Sequence, residues 1–304
     1  MPEVCEIVVT THFLLSKIGN KYLNSVDIVS GRYTHQKLDG INLIQKYAPL
    51  KVINIDSKGK FMWFELYNKK YDKYIYIMNT FGLSGSWSFQ RTNSTRVQFS
   101  ISDSTGNNDI DLYFNDQRNF GTIKITDKVA DLDGKLDKLA PDLLKDNYSL
   151  AEFKTWIRDY KYQDREIIKV LMDQEVKTSI GSGLGNYLAP EILYRAKISP
   201  YRTISSLSDE DISELYNQTT KTLKLCYLSN HIGYMTQFGD FIEQHKIDVA
   251  KGVYPDYQKK IKLKKNDKFD FFVYQRKKDP EGHQVVVSKI IKDRSTYWVP
   301  DIQI

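Results

Sequence analysis

Apolar positions in this chain change period twice. From residue 3 to 18 they recur every three to four positions, at Ile7, Val8, Thr11, Leu14, Leu15 and Ile18, and Gly19-Asn20 follows as a stop. That spacing predicts one helix over 3–18 with a buried stripe. From about 22 to 127 the period drops to two, with predicted strands at 22–30, 51–57, 61–67, 74–80, 85–90, 96–102, 109–115 and 121–126, and a short helix near 39–47. Short alternating strands with polar turns between them, such as Gly106-Asn107-Asn108, predict an antiparallel sandwich or barrel. Beyond about 130 the helical period returns, near 150–159, 164–173, 186–196 and 208–230. Residues 233–268 read as irregular and lysine-rich, and their charge run as a solvated face. The tail returns to strands, with a hairpin of 284–291 and 295–299 and Lys292-Asp293-Arg294 at its tip. The whole predicts an α+β protein of two domains. They are a β-sandwich domain with flanking helices over 1–130, a linker over 131–149 around Leu139-Ala140-Pro141-Asp142, and a helical domain over 150–304.

Composition adds limits. The chain has 304 residues, 41% hydrophobic and 27% charged, which is enough for two cores. The net charge of +6 permits a polyanionic partner without requiring one. No apolar run reaches the length of a membrane span, and the acidic start lacks the basic region of a signal peptide. Cys5 and Cys226 are too few for a disulfide framework or a four-cysteine zinc site, which points to a reducing compartment. The histidines (His12, His35, His231, His245, His283) show no ligand spacing, so neither metal nor cofactor is expected.

Candidate chemistry begins at Met1-Pro2-Glu3. Removal of Met1 would leave Pro2 as a terminal secondary amine, which titrates below lysine and adds to a sugar aldehyde carbon to form an iminium. The plain structural reading is Pro in the first turn of a helix, with Glu3 and Glu6 offsetting its dipole. Lys60, in Ser57-Lys58-Gly59-Lys60, is either a solvated hairpin lysine or a phosphate contact at a glycine turn. Leu83 sits between glycines in Thr80–Gly85, and Arg118 and Phe120 sit in Asn115–Gly121. Apolar loop tips are core plugs, or the wedges a protein inserts where a base leaves the duplex. Gly181-Ser182-Gly183-Leu184-Gly185-Asn186 lacks the preceding strand and final glycine of a dinucleotide fingerprint. It reads instead as a turn between helices, ending where backbone N–H groups can face an anion, with Pro190 fixing a helix start near Asn186 or Tyr187. A tight turn without a ligand explains it equally well.

Taken in order, these features resemble the Fpg/Nei family of DNA glycosylases over nearly the whole chain. The segment from Gly185 to Ile198 resembles that family's helix–two-turn–helix motif, closest to the Nei-like branch of animals and giant DNA viruses. Arg294 to Gln303 resembles the second half of the family's zinc finger, with Val299 and Ile302 where cysteines would stand. That implies a zincless β-hairpin finger at about 283–304. The resemblance implies Pro2 as the nucleophile at C1′ and Glu3 as the proton shuttle. Lys60, Asn186 and Arg294 would lie on lesion-flanking phosphates, and Leu83, Arg118 and Phe120 in the gap left by an everted base. It further implies a bifunctional glycosylase and abasic-site lyase with β,δ-elimination, acting on oxidised pyrimidines and hydantoins in double- or single-stranded DNA. A monomer is expected, off the membrane and inside the cell wherever the genome is: nucleus, or viral factory or virion. Where the family continues Gly-Pro after Met-Pro-Glu, this chain has Val4-Cys5. Two readings therefore stand beside the enzyme: a catalytically weak damaged-DNA-binding paralogue, and a structural or RNA-binding protein that uses the helical clamp without chemistry.

Overall fold

The computed structural model describes residues 2–107, 109–229, 239–264 and 266–304. Met1, Asn108, Lys265 and residues 230–238, which include His231, the last residue of the helix read over 208–230 and the 233–238 part of the stretch read as irregular, lie outside the described residues. Two units result. One comprises residues 1–2 and 6–137, the other 3–5 and 138–304.

The first unit begins with helix α1 (Val4–Ile18), whose Ile7, Val8, Leu14 and Ile18 are buried as the spacing predicts. Eight strands follow: β1 (Tyr22–Ile28), β2 (Leu50–Lys58), β3 (Phe61–Asn68), β4 (Lys73–Thr80), β5 (Gly85–Ser88), β6 (Thr95–Ser102), β7 (Ile110–Asp116) and β8 (Thr122–Thr126). They pair antiparallel in the order β5-β7-β6-β1-β2-β3-β4-β8. Only Tyr22↔Lys51 and Leu23↔Leu50 join β1 to β2, so the sheet can fold there. Strands far apart in the order then meet. Phe64 of β3 lies 5.1 Å from Trp87 of β5 and 5.9 Å from Phe99 of β6, ring centre to ring centre. The Trp87 indole N–H donates to the Asn79 side chain of β4 at 3.1 Å. The expected sandwich is thus one sheet closed over an aromatic core.

Strand register also sorts the loops. Phe61 pairs with Thr80, and Thr80 with Thr122, so the turns holding Lys60, Leu83 and Arg118-Phe120 share one end of this unit. A short helix α2 (Ile41–Tyr47) precedes β2, and α3 (Val129–Leu136) follows β8. The expected linker 131–149 therefore begins inside a helix. Its one buried apolar residue, Leu132, is too little to register as a period.

The second unit holds α4 (Leu150–Arg158), α5 (Ile167–Met172), α6 (Leu188–Arg195), α7 (Asp209–Tyr227) and α8 (Gly239–Ala250), then a hairpin of β9 (Val286–Ile291) and β10 (Arg294–Trp298). Helices α4 and α7 each open with a capping box, Ser149 with Glu152 and Ser208 with Asp211. The turn of the hairpin is Lys292-Asp293, so Arg294 is the first residue of a strand, opposite Ile291, rather than a tip residue.

Helix α8 corrects the reading of 233–268 as irregular. Its buried residues include Ile242, His245 and Val249, a helical stripe that a histidine and intervening charges disguise. His245 Nε2 lies 2.7 Å from the Tyr227 hydroxyl of α7, and its ring packs on Tyr254 at 4.6 Å. The lysines that follow, at 259, 260, 262 and 264, are exposed as expected.

Burial pushes the His245 imidazole down to about 4, against a small opposing effect of Asp248. A folded-state value below the unfolded one means the fold binds fewer protons between about pH 4 and 6.5. Stability is full above that window and falls as pH drops through it, by at most roughly 3 kcal/mol. Urea unfolding at pH 4.5 and 7.5 should show this loss in the wild type and a smaller loss in His245→Gln. Equal losses would place the acid sensitivity elsewhere.

Candidate functional site

The structure separates the two readings of the N-terminus. Helix α1 begins at Val4, so Pro2 stands outside the helix rather than in its first turn, half-buried and without regular structure. Glu3 is fully buried, and its carboxylate accepts N–H groups of Tyr187 at 2.9 Å and Leu188 at 3.2 Å. These N–H groups belong to the N-terminus of α6, where no intrahelical acceptor exists for them. Glu3 thus serves the dipole of α6. The residue between the glycine turn and α6 is Asn186. Its side-chain oxygen is buried and has no hydrogen-bond partner among the described residues.

Why the glycine turn takes this shape follows from its neighbours. Ser182 N–H donates to Pro141 O at 2.7 Å and its hydroxyl to Ala140 O at 2.9 Å, which ties the turn to Leu139–Asp142. Gly183 N–H donates to the Gln174 side chain at 2.8 Å, and Val4 N–H to Gly183 O at 3.0 Å. Gly183 has a φ of +113°, and a Cβ there would stand 2.6 Å from the Val4 Cβ. Val4, which looked from the sequence like added bulk beside the nucleophile, is fully buried and fills the space this glycine leaves. Cys5 is also buried, its thiol 3.6 Å from Leu223 O.

In the first unit Leu83, Arg118 and Phe120 come together around Asp116, which is fully buried. Asp116 accepts the Ser84 hydroxyl at 2.5 Å and Gly121 N–H at 2.6 Å, while Arg118 N–H donates to Ser84 Oγ at 2.8 Å. Gly82, at φ +60°, packs where a Cβ would meet Gly121 N at 2.7 Å. The two loops form one projection. The Arg118 guanidinium lies 5.3 Å from the Phe120 ring, itself 52% exposed, and Leu83 is half-buried beside Gly82. Lys60 sits half-buried in the β2–β3 turn at the same end of the sheet.

Sequence reasoning missed two features because their members are far apart in the chain. Arg294 lines a cleft of about 510 Å³ with Lys292, Ile290 and Ile291 of the hairpin and Arg165, Lys169 and Asp173 around α5. Arg165 is paired with Asp173 and Lys169 with Glu166. No ion pair of Lys292 or Arg294 occurs among the described residues, so the cleft carries uncompensated positive charge suited to a phosphate. The second feature is Glu191, fully buried within α6. It accepts N–H groups of Phe272, Val273 and Tyr274 at 2.8–3.1 Å and pairs with Arg195. The Glu191–Arg195 spacing was the available signal, though i,i+4 pairs are usually solvated.

Known proteins share this organisation. Family models for formamidopyrimidine-DNA glycosylase match the chain in order: its N-terminal domain at 1–123, its H2TH domain at 139–235 and its C-terminal domain at 259–304. The formamidopyrimidine-DNA glycosylase of Shouchella clausii is 26% identical over 312 residues, covering 100% of this chain and 99% of that relative. The Listeria innocua protein of the same name is 32% identical over 163 residues, 53% of this chain and little more than half of the relative, 55%. Among solved structures, the MutM (Fpg) protein of Thermus thermophilus superposes with a TM-score of 0.69 at 20% identity over 99% of this chain and 98% of that one. Lactococcus lactis Fpg in complex with FAPY-dG-containing DNA gives 0.73 at 18% identity over 99% of both.

The Val4–Gly183 fit makes a stability prediction. Gly183→Ala adds a methyl group into Val4 and forces a left-handed backbone on alanine, so unfolding free energy should fall by about 2–4 kcal/mol. Adding Val4→Gly, which removes the Cβ that the new methyl group would meet, should recover only the steric part. A denaturation double-mutant cycle with no coupling would refute the contact. With its three domain models matched in order, the chain belongs to the formamidopyrimidine-DNA glycosylase family.

Proposed function

We propose that the protein is a bifunctional DNA glycosylase and abasic-site lyase of base excision repair that works through a Schiff base on Pro2. The observation that carries this reading is the placement of Glu3. A carboxylate next in sequence to a terminal amine is fixed by two N–H groups of α6, immediately after Asn186. The cap stabilises α6 in any reading, and its position beside a terminal amine is what the lyase reading uses.

In this reading the Pro2 nitrogen, after loss of Met1, attacks C1′ of the damaged nucleotide. The glycosidic bond breaks with its electron pair leaving on the base. Glu3 delivers a proton to the sugar ring oxygen as the ring opens and the C1′–N bond becomes an iminium. The iminium draws electrons when a C2′ proton is removed, and the 3′ phosphate leaves. A second elimination releases the 5′ phosphate and leaves a one-nucleotide gap. Extruding the base costs a few kcal/mol, least for a damaged one. The Leu83, Arg118 and Phe120 projection would fill the gap, with the arginine toward the unpaired partner base. Lys60, Asn186 and Arg294 would hold backbone phosphates, with Lys292 beside Arg294.

The finer assignment to the Nei-like branch, with oxidised pyrimidines and hydantoins as lesions and a zincless finger, is part of the proposal. Its support is the base of the hairpin, where Val299 packs with Tyr194, Val273 and Val285 in an apolar core flanked by Ile302. Asp279 accepts the Tyr194 hydroxyl at 2.9 Å and the N–H groups of Glu281 and His283, which knits the turn before β9 without sulfur ligands. The protein would act as a monomer in the compartment of the genome it repairs.

Borohydride trapping tests the central claim, on duplex DNA containing thymine glycol or an abasic site, using protein with an untagged N-terminus. Wild type should form a covalent adduct on both and cleave the strand. Pro2→Gly should trap far less, and an N-terminal tag should abolish trapping while leaving binding. Glu3→Gln should lower base excision by about 10²–10⁴-fold, the range of a lost general acid. Arg294→Ala should lower the salt slope of binding by about one unit. Binding without an adduct on either substrate would remove the enzyme reading and favour the damage-binding paralogue.

A further inference from the structure

The two ends of the eight-stranded sheet differ in kind. One end carries Lys60, Leu83, Arg118 and Phe120. The other, roughly 25 Å away along the eight residues of β3, carries a group of tyrosines and lysines that the proposed reaction does not use. Tyr67 and Tyr74 are paired in register across β3 and β4, with ring centres 4.7 Å apart. At the same end Tyr47, the last residue of α2, meets Tyr71 of the β3–β4 turn edge to face at 5.5 Å. Tyr71 and Tyr74 remain 50% and 44% exposed. An exposed aromatic pair in a turn contributes little to a core, so its presence asks for another explanation.

Charge narrows the partner. Lys46, Lys69 and Lys70 are exposed around these rings, and Lys51 pairs opposite Tyr67 on β2. The Lys46 and Lys70 ammonium groups lie 4.7 and 5.2 Å from the Tyr47 and Tyr71 ring centres. Of the carboxylates at this end, Asp127 pairs with Lys73 at 2.8 Å, Asp72 accepts the Tyr67 hydroxyl at 2.9 Å and keeps its charge, and Glu65 lies opposite Tyr76; Lys46, Lys51, Lys69 and Lys70 outnumber these last two acids. A basic partner is disfavoured, and an aliphatic peptide would find ammonium groups where it needs apolar walls. Ring faces bordered by lysines suit a chain of aromatic bases joined by phosphates. A duplex keeps its bases stacked inside, so ring faces can be used only by unpaired bases.

We propose that this end of the sheet is a second nucleic-acid contact that takes single-stranded nucleic acid, with bases on Tyr71 and Tyr74 and phosphates on Lys46, Lys69 and Lys70. It would hold an unpaired stretch while the opposite end engages a lesion.

The test uses the full chain and a fluorescent oligothymidylate, titrated by anisotropy with and without a saturating short duplex that carries a tetrahydrofuran abasic analogue. Wild type should bind the oligonucleotide in both conditions. Tyr71→Ala/Tyr74→Ala should weaken that binding about tenfold or more, Tyr71→Phe/Tyr74→Phe should preserve it, and Lys69→Glu/Lys70→Glu should weaken it and flatten its salt dependence. Duplex affinity and strand cleavage, read in the same samples, should be unchanged in all three variants. Loss of oligonucleotide binding once the duplex is present, or equal binding by the double alanine variant, would overturn the proposal. Because duplex binding is read separately, failure here leaves the glycosylase reading standing, and the titration without duplex holds if that reading fails.

Discussion

A buried carboxylate costs several kcal/mol unless its lone pairs are taken up, and α6 is where this chain meets that requirement three times over. Glu3 gives its carboxylate to the N–H groups at the start of the helix. Glu191, in the helix itself, collects three consecutive N–H groups of 272–274 and the Arg195 guanidinium. Tyr194, one turn on, donates its hydroxyl to Asp279. An eight-residue helix thereby fixes Glu3, the segment leading into the hairpin and the base of the hairpin. The C-terminus joins the same hub, since Gln303 donates its side-chain amide to Ile198 O and Ile304 N–H to Lys197 O. Helices α5 and α7 and strand β10 pack directly on α6.

This architecture explains the two kinds of loop in the first unit. Its chemically interesting residues stand on turns, and turns are held only by what their polar groups can find. Asp116 supplies that hold for Leu83, Arg118 and Phe120 by accepting from both loops at once. The result is an aromatic ring kept in water on a rigid base, a conformation that hydrophobic packing alone would not keep.

Much of this was legible in the sequence, for identifiable reasons. The strands announced themselves by alternation because one face of each is buried, and α1 by its stripe. The glycine turn and the loop tips were legible because they break those periods. What stayed hidden depends on partners distant in the chain. Val4 read as a departure from a motif, but its complement Gly183 comes some 180 residues later. Glu191 and Arg195 gave no sign of burial, because nothing local shows that residues 272–274 will cover them. The basic cleft joins α5 to the final hairpin. Helix α8 was lost for a different reason: its buried stripe includes a histidine, which the hydrophobic pattern counts as polar.

The assignment of residues 3–5 to the second unit has a consequence for synthesis. These residues leave the ribosome well before the groups that receive them, Gly183, Tyr187, Leu188 and Leu223, are made. At about 5–20 residues per second the tripeptide waits roughly 10–40 s for its seat. During that interval Glu3 has no helix to dock on, and its carboxylate stays in water. A fragment beginning at Lys138 would lack the carboxylate that α6 needs and would have to borrow one from solvent. Residues made early thus join a unit made late.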